Sequence, residues 1–252
     1  MVTAPKLLVI QPDESDPIGP LGDWLTEAGA ELDIRLPPEQ SLPADLAGYA
    51  GVVCLGGGMG ANDDAAHPWL ADVRKLLAKA AGARVPTLAI CLGGQLLAVA
   101  LGGTVVTGDQ GPEVGPGLVS KKDAAWTDPL FADLPLMQDV LQFHNDAITR
   151  LPAGAELLAS SPRYAYQAFR FDRCAYGVQF HIETTQDVVL AWARQSPEMA
   201  ELTRPDALTP ENLARVHADI TETWRPFAHR FVRLVSGDLA PAADRQRTLP
   251  MA

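Results

Sequence analysis

Val85-Pro-Thr-Leu-Ala-Ile90 runs directly into Cys91-Leu-Gly-Gly-Gln-Leu-Leu-Ala-Val-Ala100. The first part is a short apolar run, as expected of a strand buried on both faces of a parallel sheet, and the second continues as a helix. Cys91 stands at the junction, with Ala89 two residues before it and Gly93 two after. A strand–nucleophile–helix elbow crowds the backbone into a tight turn, and small residues at those flanks are what the crowding demands. On this local pattern alone, a buried structural cysteine and an elbow nucleophile are equally good readings.

The same alternation extends outward. Lys6 to Gln11 and Gly51 to Leu55 are apolar strands, and Glu31 to Leu36 is another, closed by Pro37-Pro38. Leu21 to Ala30 carries apolar residues at helical spacing. Pro68 to Ala81 reads as a second helix, with Pro68 near its first turn, where a missing N–H costs little. The order β-α-β-β-α-β-α predicts an α/β architecture, an open and mostly parallel sheet flanked by helices. Gly103 to Arg170 departs from it, with short strands and turns at Asp109-Gln-Gly-Pro112 and Pro152-Ala-Gly154, which predicts a small antiparallel excursion. Tyr176 to His181 is a further strand, and Thr185 to Gln195 and Asn212 to Val235 are helices. No repeat or linker interrupts the chain, so one domain is expected over residues 1–240, with a helical C-terminal extension at about 206–240 and a frayed tail at 241–252.

Composition narrows the function. The 252 residues suit a single α/β domain, and 47% hydrophobic with 20% charged residues argues against intrinsic disorder. Lys plus Arg number 20 against 31 Asp plus Glu, a net charge of −11, so nucleic acid and anionic membrane surfaces drop out as partners. Three cysteines without paired spacing argue against a disulfide scaffold or a Cys-rich zinc site and for a reducing compartment. No apolar run approaches the ~20 residues of a membrane span. Met1 to Ile10 reads as a strand rather than a signal peptide, and a cytoplasmic location is expected.

Three groups of residues carry chemistry. At a helix N-terminus the Cys91 thiol meets the positive end of the helix dipole, which favours thiolate. The Leu92 N–H can face an oxyanion formed on an attacked carbonyl. A cysteine nucleophile needs a base, and the base an orienting group. Gln179-Phe-His-Ile-Glu183 offers both, since residues two apart on a strand share a face, which pairs His181 with Glu183 and leaves Phe180 and Ile182 to the core. His67, His217 and His229 lie in loop or helix contexts without that arrangement. Gly56-Gly-Gly-Met-Gly60 lacks the Lys-Ser/Thr of a phosphate loop, and reads as a tight turn or a second oxyanion donor. Of the other thiols, Cys54 falls in an apolar strand, and Cys174, beside Arg173 in a turn, is expected at the surface.

Cys91-Leu-Gly-Gly-Gln95, the Gly56–Gly60 loop and Gln179-Phe-His-Ile-Glu183 together resemble the three signatures of the class I (triad) glutamine amidotransferases. Phe143-His-Asn-Asp146, Leu151-Pro-Ala-Gly-Ala155, Ala159-Ser-Ser-Pro162 and Gln167-Ala-Phe169 resemble its stand-alone, GMP-synthase-like branch. The similarity runs in order from about Lys6 to Thr185. It implies a flavodoxin-like sheet, Cys91 as nucleophile, His181 as base and Glu183 as orienter. It also implies an oxyanion hole from Gly57 or Gly58 with Leu92, and substrate contacts from Gln95, His144, Asn145 and Asp146. The chain departs from the family pattern at Ala89, where many members carry Gly, at Gly94, often His, and at Ile182, usually Pro. These departures are expected to bear on substrate fit more than on activity.

The implied reaction is hydrolysis of the glutamine side-chain amide through a γ-glutamyl thioester, and it needs neither metal nor organic cofactor. The implied partners are glutamine or another γ-glutamyl amide and an ammonia-accepting synthase. A γ-glutamyl peptide or amide hydrolase would use the same triad, and a non-catalytic binding module would not need it intact. The helical extension, with its apolar face, is expected to pack on the domain or dock a partner.

Overall fold

The computed structural model describes residues 4–243. Five parallel strands form one half of a nine-stranded sheet: β1 (Lys6–Ile10), β2 (Glu31–Arg35), β3 (Gly51–Cys54), β4 (Thr87–Ile90) and β11 (Ala175–Val178), in the order β2-β1-β3-β4-β11. The sheet continues antiparallel through β10 (Ala168–Phe171), β9 (Ala155–Ser160), β6 (Glu113–Lys121) and β7 (Met137–His144). The antiparallel excursion expected from Gly103 to Arg170 is present and larger than expected, forming nearly half of the main sheet. Only β5 (Thr104–Thr107) and β8 (Asp146–Arg150) leave it, as a two-stranded ribbon.

Alternation along the strands divides the core. In β1, Leu7 and Val9 face one side and Leu8 and Ile10 the other. The first side is covered by α1 (Gly19–Glu27), α4 (Gln186–Gln195) and α6 (Pro210–Ser236), the second by α2 (Leu70–Gly82) and α3 (Leu92–Ala100). The helix expected from Pro68 begins at Leu70, and a four-residue turn of helix, α5 (Pro197–Ala200), follows α4 where no helix is expected. All four residues of β3 and of β4 are buried, which is why both read as unbroken apolar runs.

The extension is one long helix. Pro210 opens α6 beside a Thr209 hydroxyl that caps it, and Gly237 closes it in the left-handed conformation at φ 83°. Val216, Ile220, Trp224, Phe227 and Phe231 recur at helical spacing and are buried, and the Trp224 indole N–H donates to the Asp139 carbonyl of β7 at 2.9 Å. The apolar face is thus occupied by the domain itself. Beyond α6, the Ala242 N–H donates to the Arg173 carbonyl at 3.1 Å, so the first residues assigned to a tail are anchored, while 244–252 lie outside the described residues. Among the described residues no helix is long and apolar enough to cross a membrane.

Candidate active site

β3, β4 and β11 are adjacent and parallel, so the segments that follow their C-terminal ends meet at one edge of the sheet. After β3 comes the Gly56–Gly60 loop, after β4 Cys91, and after β11 the segment Gln179 to Glu183. Cys91 adopts φ 50° and ψ −110°, a backbone conformation that costs a non-glycine residue about 1–3 kcal/mol. Its N–H donates to the Val178 carbonyl at 2.8 Å and its own carbonyl accepts from Gln95 N–H at 2.9 Å, which holds the elbow from both sides. The crowding expected at the flanks is present. A methyl group on Gly93 would lie 2.3 Å from the Cys54 carbonyl oxygen.

His181 and Glu183, the expected base and orienter, sit differently from a simple strand pair. β11 ends at Val178, and His181 instead exchanges two backbone hydrogen bonds with Leu141 of β7, at 2.8 and 3.1 Å. The alternation survives this shift, with Phe180 and Ile182 buried in the core. His181 Nδ1 lies 2.6 Å from Glu183 Oε1, both side chains almost fully buried. Burial opposes a charged imidazole, but Glu183 and Cys91 outweigh it and push the His181 pKa well above its ordinary value. The Ile182 N–H donates to Glu183 Oε2 at 2.8 Å, a bond that proline at this position could not make. The ring of Trp192 packs on His181 with centroids 4.8 Å apart.

Cys91, 6% exposed, lines two cavities. The larger, about 430 Å³, runs past Gly57, Leu92, Gln95, Thr107 and the Phe143–Asp146 segment. The smaller, about 90 Å³, lies between His181, Trp192, Asp16 and Gln195. The expected substrate residues reach the larger cavity with different degrees of freedom. Gln95 donates to the Gln179 side-chain oxygen at 3.2 Å and to the Asp146 carbonyl at 3.1 Å, which leaves its own carbonyl oxygen for a ligand. His144 is tied at both ring nitrogens, to the Asp146 carbonyl at 2.9 Å and to Glu113 Oε2 at 3.1 Å, so it braces the wall. Asp146 accepts from the Thr107 hydroxyl at 3.2 Å, and Asn145 lines the wall beside it. Gly94 faces away, its α-carbon so close to β11 that a methyl group would lie 2.5 Å from the Val178 carbonyl oxygen. That departure bears on helix packing rather than on substrate fit.

In the glycine loop, the Gly58 N–H donates to Asp13 Oδ2 at 3.2 Å. That commits the donor to a carboxylate and sets Gly58 apart from Gly57 and Leu92, the other two expected oxyanion donors. Burial works against the Asp13 charge, but Ser15 and Gly58 donors outweigh it and hold its pKa below the usual range. Asp13 and Asp16 carry no motif in the sequence, although the loop after the first strand ends at this same edge. Gln179, whose amide approaches Cys91 Sγ at 3.8 Å, and Trp192 likewise join the site only through the fold. Cys174 corrects an expectation: it is 4% exposed rather than at the surface, its thiol donating to the Arg84 carbonyl at 3.2 Å. Burial pushes the Cys174 thiol up to about 11 and Cys54 to about 12.

The profile of the family described as "Glutamine amidotransferase class-I" matches residues 23–188. The GMP synthase [glutamine-hydrolyzing] of Lactococcus lactis is 38% identical over 106 residues, 41% of this chain and 20% of that protein. That of Christiangramia forsetii is 32% identical over 157 residues, 61% of this chain and 29% of that protein. The matched part of the chain thus spans a fifth to under a third of the length of these curated relatives. Among solved structures, a glutamine amidotransferase from Thermotoga maritima superposes with a TM-score of 0.80 at 30% identity, covering 91% of this chain and 98% of that one. One from Methylobacillus flagellatus gives 0.77 at 26% identity, covering 98% and 99%.

Proposed function

Since the chain belongs to the class I glutamine amidotransferase family, we propose that it hydrolyses the side-chain amide of glutamine through a γ-glutamyl thioester on Cys91. The observation that carries this reading is the convergence of three segments on one sheet edge: an elbow cysteine, a buried His181–Glu183 pair at 2.6 Å and a glycine loop. The Cys91 thiolate attacks the amide carbon, and the N–H groups of Gly57 and Leu92 receive the oxyanion. His181 gives its proton to the departing nitrogen as the C–N bond breaks, and ammonia leaves. His181 then takes a proton from water, which attacks the thioester and frees glutamate and the thiol. Asp63 and Asp146, both on the larger cavity, suit the substrate's α-ammonium group. The ammonia passes to a synthase partner, in keeping with the glutamine-hydrolysing synthases among the relatives. Three free cysteines suit a reducing, cytoplasmic setting.

A γ-glutamyl amide hydrolase would share the triad, but its leaving amine must fit the His181 side, where the cavity of about 90 Å³ favours ammonia. A panel of glutamine and γ-glutamyl amides, assayed for glutamate release with the chain alone and with candidate synthases, tests both readings. Glutamine is expected to be hydrolysed and bulkier amides to be poor substrates, and release from no γ-glutamyl compound would leave only a binding module. A glutamine-shaped electrophile should label Cys91 ahead of the buried Cys54 and Cys174, and excess glutamine should slow that labelling. Peptide mapping after brief treatment reads this directly, and first labelling at Cys174 would count against the pocket.

Gly57→Pro removes an N–H and fixes φ, so kcat should fall by about 10²–10³-fold, the usual cost of one oxyanion donor. Gly57→Ala keeps the N–H but crowds Met59 Sδ and Leu92 Cδ2, at 2.8 and 2.9 Å, and serves as the control for crowding. Equal losses in the two variants would show that the loop contributes shape and no donor.

A further inference from the structure

Asp16 is a carboxylate that the triad does not use, yet it is 7% exposed and lines the smaller cavity together with Cys91 and His181. It reaches this place because the loop after β1 folds back over the start of the glycine loop, its N–H donating to the Asp13 carbonyl at 3.2 Å. Gly56 shows how close it comes to the base. A methyl group on Gly56 would stand 2.5 Å from Asp16 Oδ2 and 3.1 Å from His181 Cε1, so the two side chains border the same small space. Absence of a side chain at position 56 is what lets the carboxylate face the imidazole. Glu183 occupies Nδ1 and Cys91 also bonds the ring, while the Gly56 position that borders Asp16 Oδ2 borders Cε1, which puts the carboxylate on the Cε1 side of the ring.

We propose that Asp16 is a positioning residue for His181, a second carboxylate that stabilises the imidazolium from its Cε1 edge and so supports the thiolate–imidazolium pair with Cys91. The inference rests on the amidase reading only for its effect on turnover. The effect on the ring and thiol stands apart from substrate identity. An imidazolium carries partial positive charge on Cε1–H, so an ionised neighbour there favours the charged ring over the neutral one. Burial above all raises the Asp16 pKa, to about 7; His181 and the Trp192 hydrogen bond oppose the rise, and Glu183 and Asp13 add to it. The groups facing it are therefore His181 and Glu183 from the segment after β11, Asp13 from its own loop, and the Trp192 indole of α4. The sign follows. Above neutral pH Asp16 is a carboxylate and supports the imidazolium, and as pH falls below about 7 it is protonated and the support is lost.

The test is Asp16→Asn, which keeps the shape and matches the protonated acid. At pH 8.5 its kcat on glutamine should be lower than wild type by about tenfold, the equivalent of one unit in the base, with KM little changed. At pH 5.5 the two proteins should converge. Iodoacetamide alkylation of Cys91, read by mass spectrometry over the same pH range, should show the same converging ratio. Gly56→Ala, which wedges a methyl group between carboxylate and ring, should reproduce the loss at high pH while keeping the charge. A ratio that does not vary with pH in either readout, or no loss in both variants, would overturn the proposal. If glutamine is not turned over by wild type, the amidase reading fails while the alkylation ratios still decide the role of Asp16.

Discussion

Cys91→Ala should reduce glutamate release from glutamine to the blank, a loss of at least about 10⁴-fold, while the protein stays folded. The thiol is a reactant in the proposed sequence, and no neighbour can take its place: Cys54 and Cys174 are buried with pKa values pushed up to about 12 and 11. The fold should hold because the contacts that secure the elbow are backbone ones, Cys91 N–H to Val178 and Gln95 N–H to Cys91. Alanine retains both, and it accepts the positive φ at the same cost as cysteine. Its small side chain also respects the crowding set by Gly93 against Cys54. Turnover by the purified variant above a trace, with an unchanged melting temperature, would remove Cys91 from the reaction.

The parallel half of the sheet and the elbow were legible in the sequence because each depends on local rules. Strands buried on both faces read as unbroken apolar runs, and a cysteine between Ala89 and Gly93 marks a turn too crowded for larger neighbours. The His181–Glu183 pair was legible from its spacing, although the segment leaves the sheet to bridge Leu141, because a bridge of one residue keeps the alternation of a strand. What the sequence did not show depends on distant pairing. The extent of the antiparallel half is set by long-range register, β6 against both β7 and β9, which no short window contains. Asp13 and Asp16 lie in a Pro/Asp-rich loop that reads as a solvated turn, and only its return over the glycine loop makes them part of the site. Cys174 looked exposed because its neighbour Arg173 is charged, whereas that guanidinium is held against the Ala242 carbonyl at 2.7 Å and the thiol turns inward.

The glycine loop shows how such contacts change a reading. Gly57 and Gly58 are equivalent as sequence, but the Asp13 carboxylate takes one of the two N–H groups and leaves the other. The chemical division between neighbouring glycines thus originates in a side chain 45 positions away. The same loop after β1 supplies Asp16 to the smaller cavity, so one short segment bonds the glycine loop and lines a cavity with His181.

His181→Ala should cost more than Glu183→Gln, by about 10²–10⁴-fold for the histidine and less for the glutamate, in kcat at pH 8. In the proposed reaction His181 protonates the departing nitrogen and deprotonates water, so its loss removes both transfers. In that reaction Glu183 acts only through the ring, and the ring has other supports. Its backbone is pinned to Leu141 by hydrogen bonds of 2.8 and 3.1 Å, and Trp192 packs on its face. Glutamine at 183 keeps the volume in a buried position, and its side-chain oxygen can still accept from Ile182 N–H, the bond of 2.8 Å that the carboxylate now makes. What it loses is the negative charge at Nδ1, which with Cys91 raises the His181 pKa against the opposing effect of burial. The variant's imidazolium should therefore lose its proton at lower pH, and the alkaline limb of its kcat profile should move to lower pH while His181→Ala shows no such limb. A larger loss in Glu183→Gln than in His181→Ala would reverse the two roles, and an unmoved limb would mean that the pair at 2.6 Å orients the ring without setting its charge.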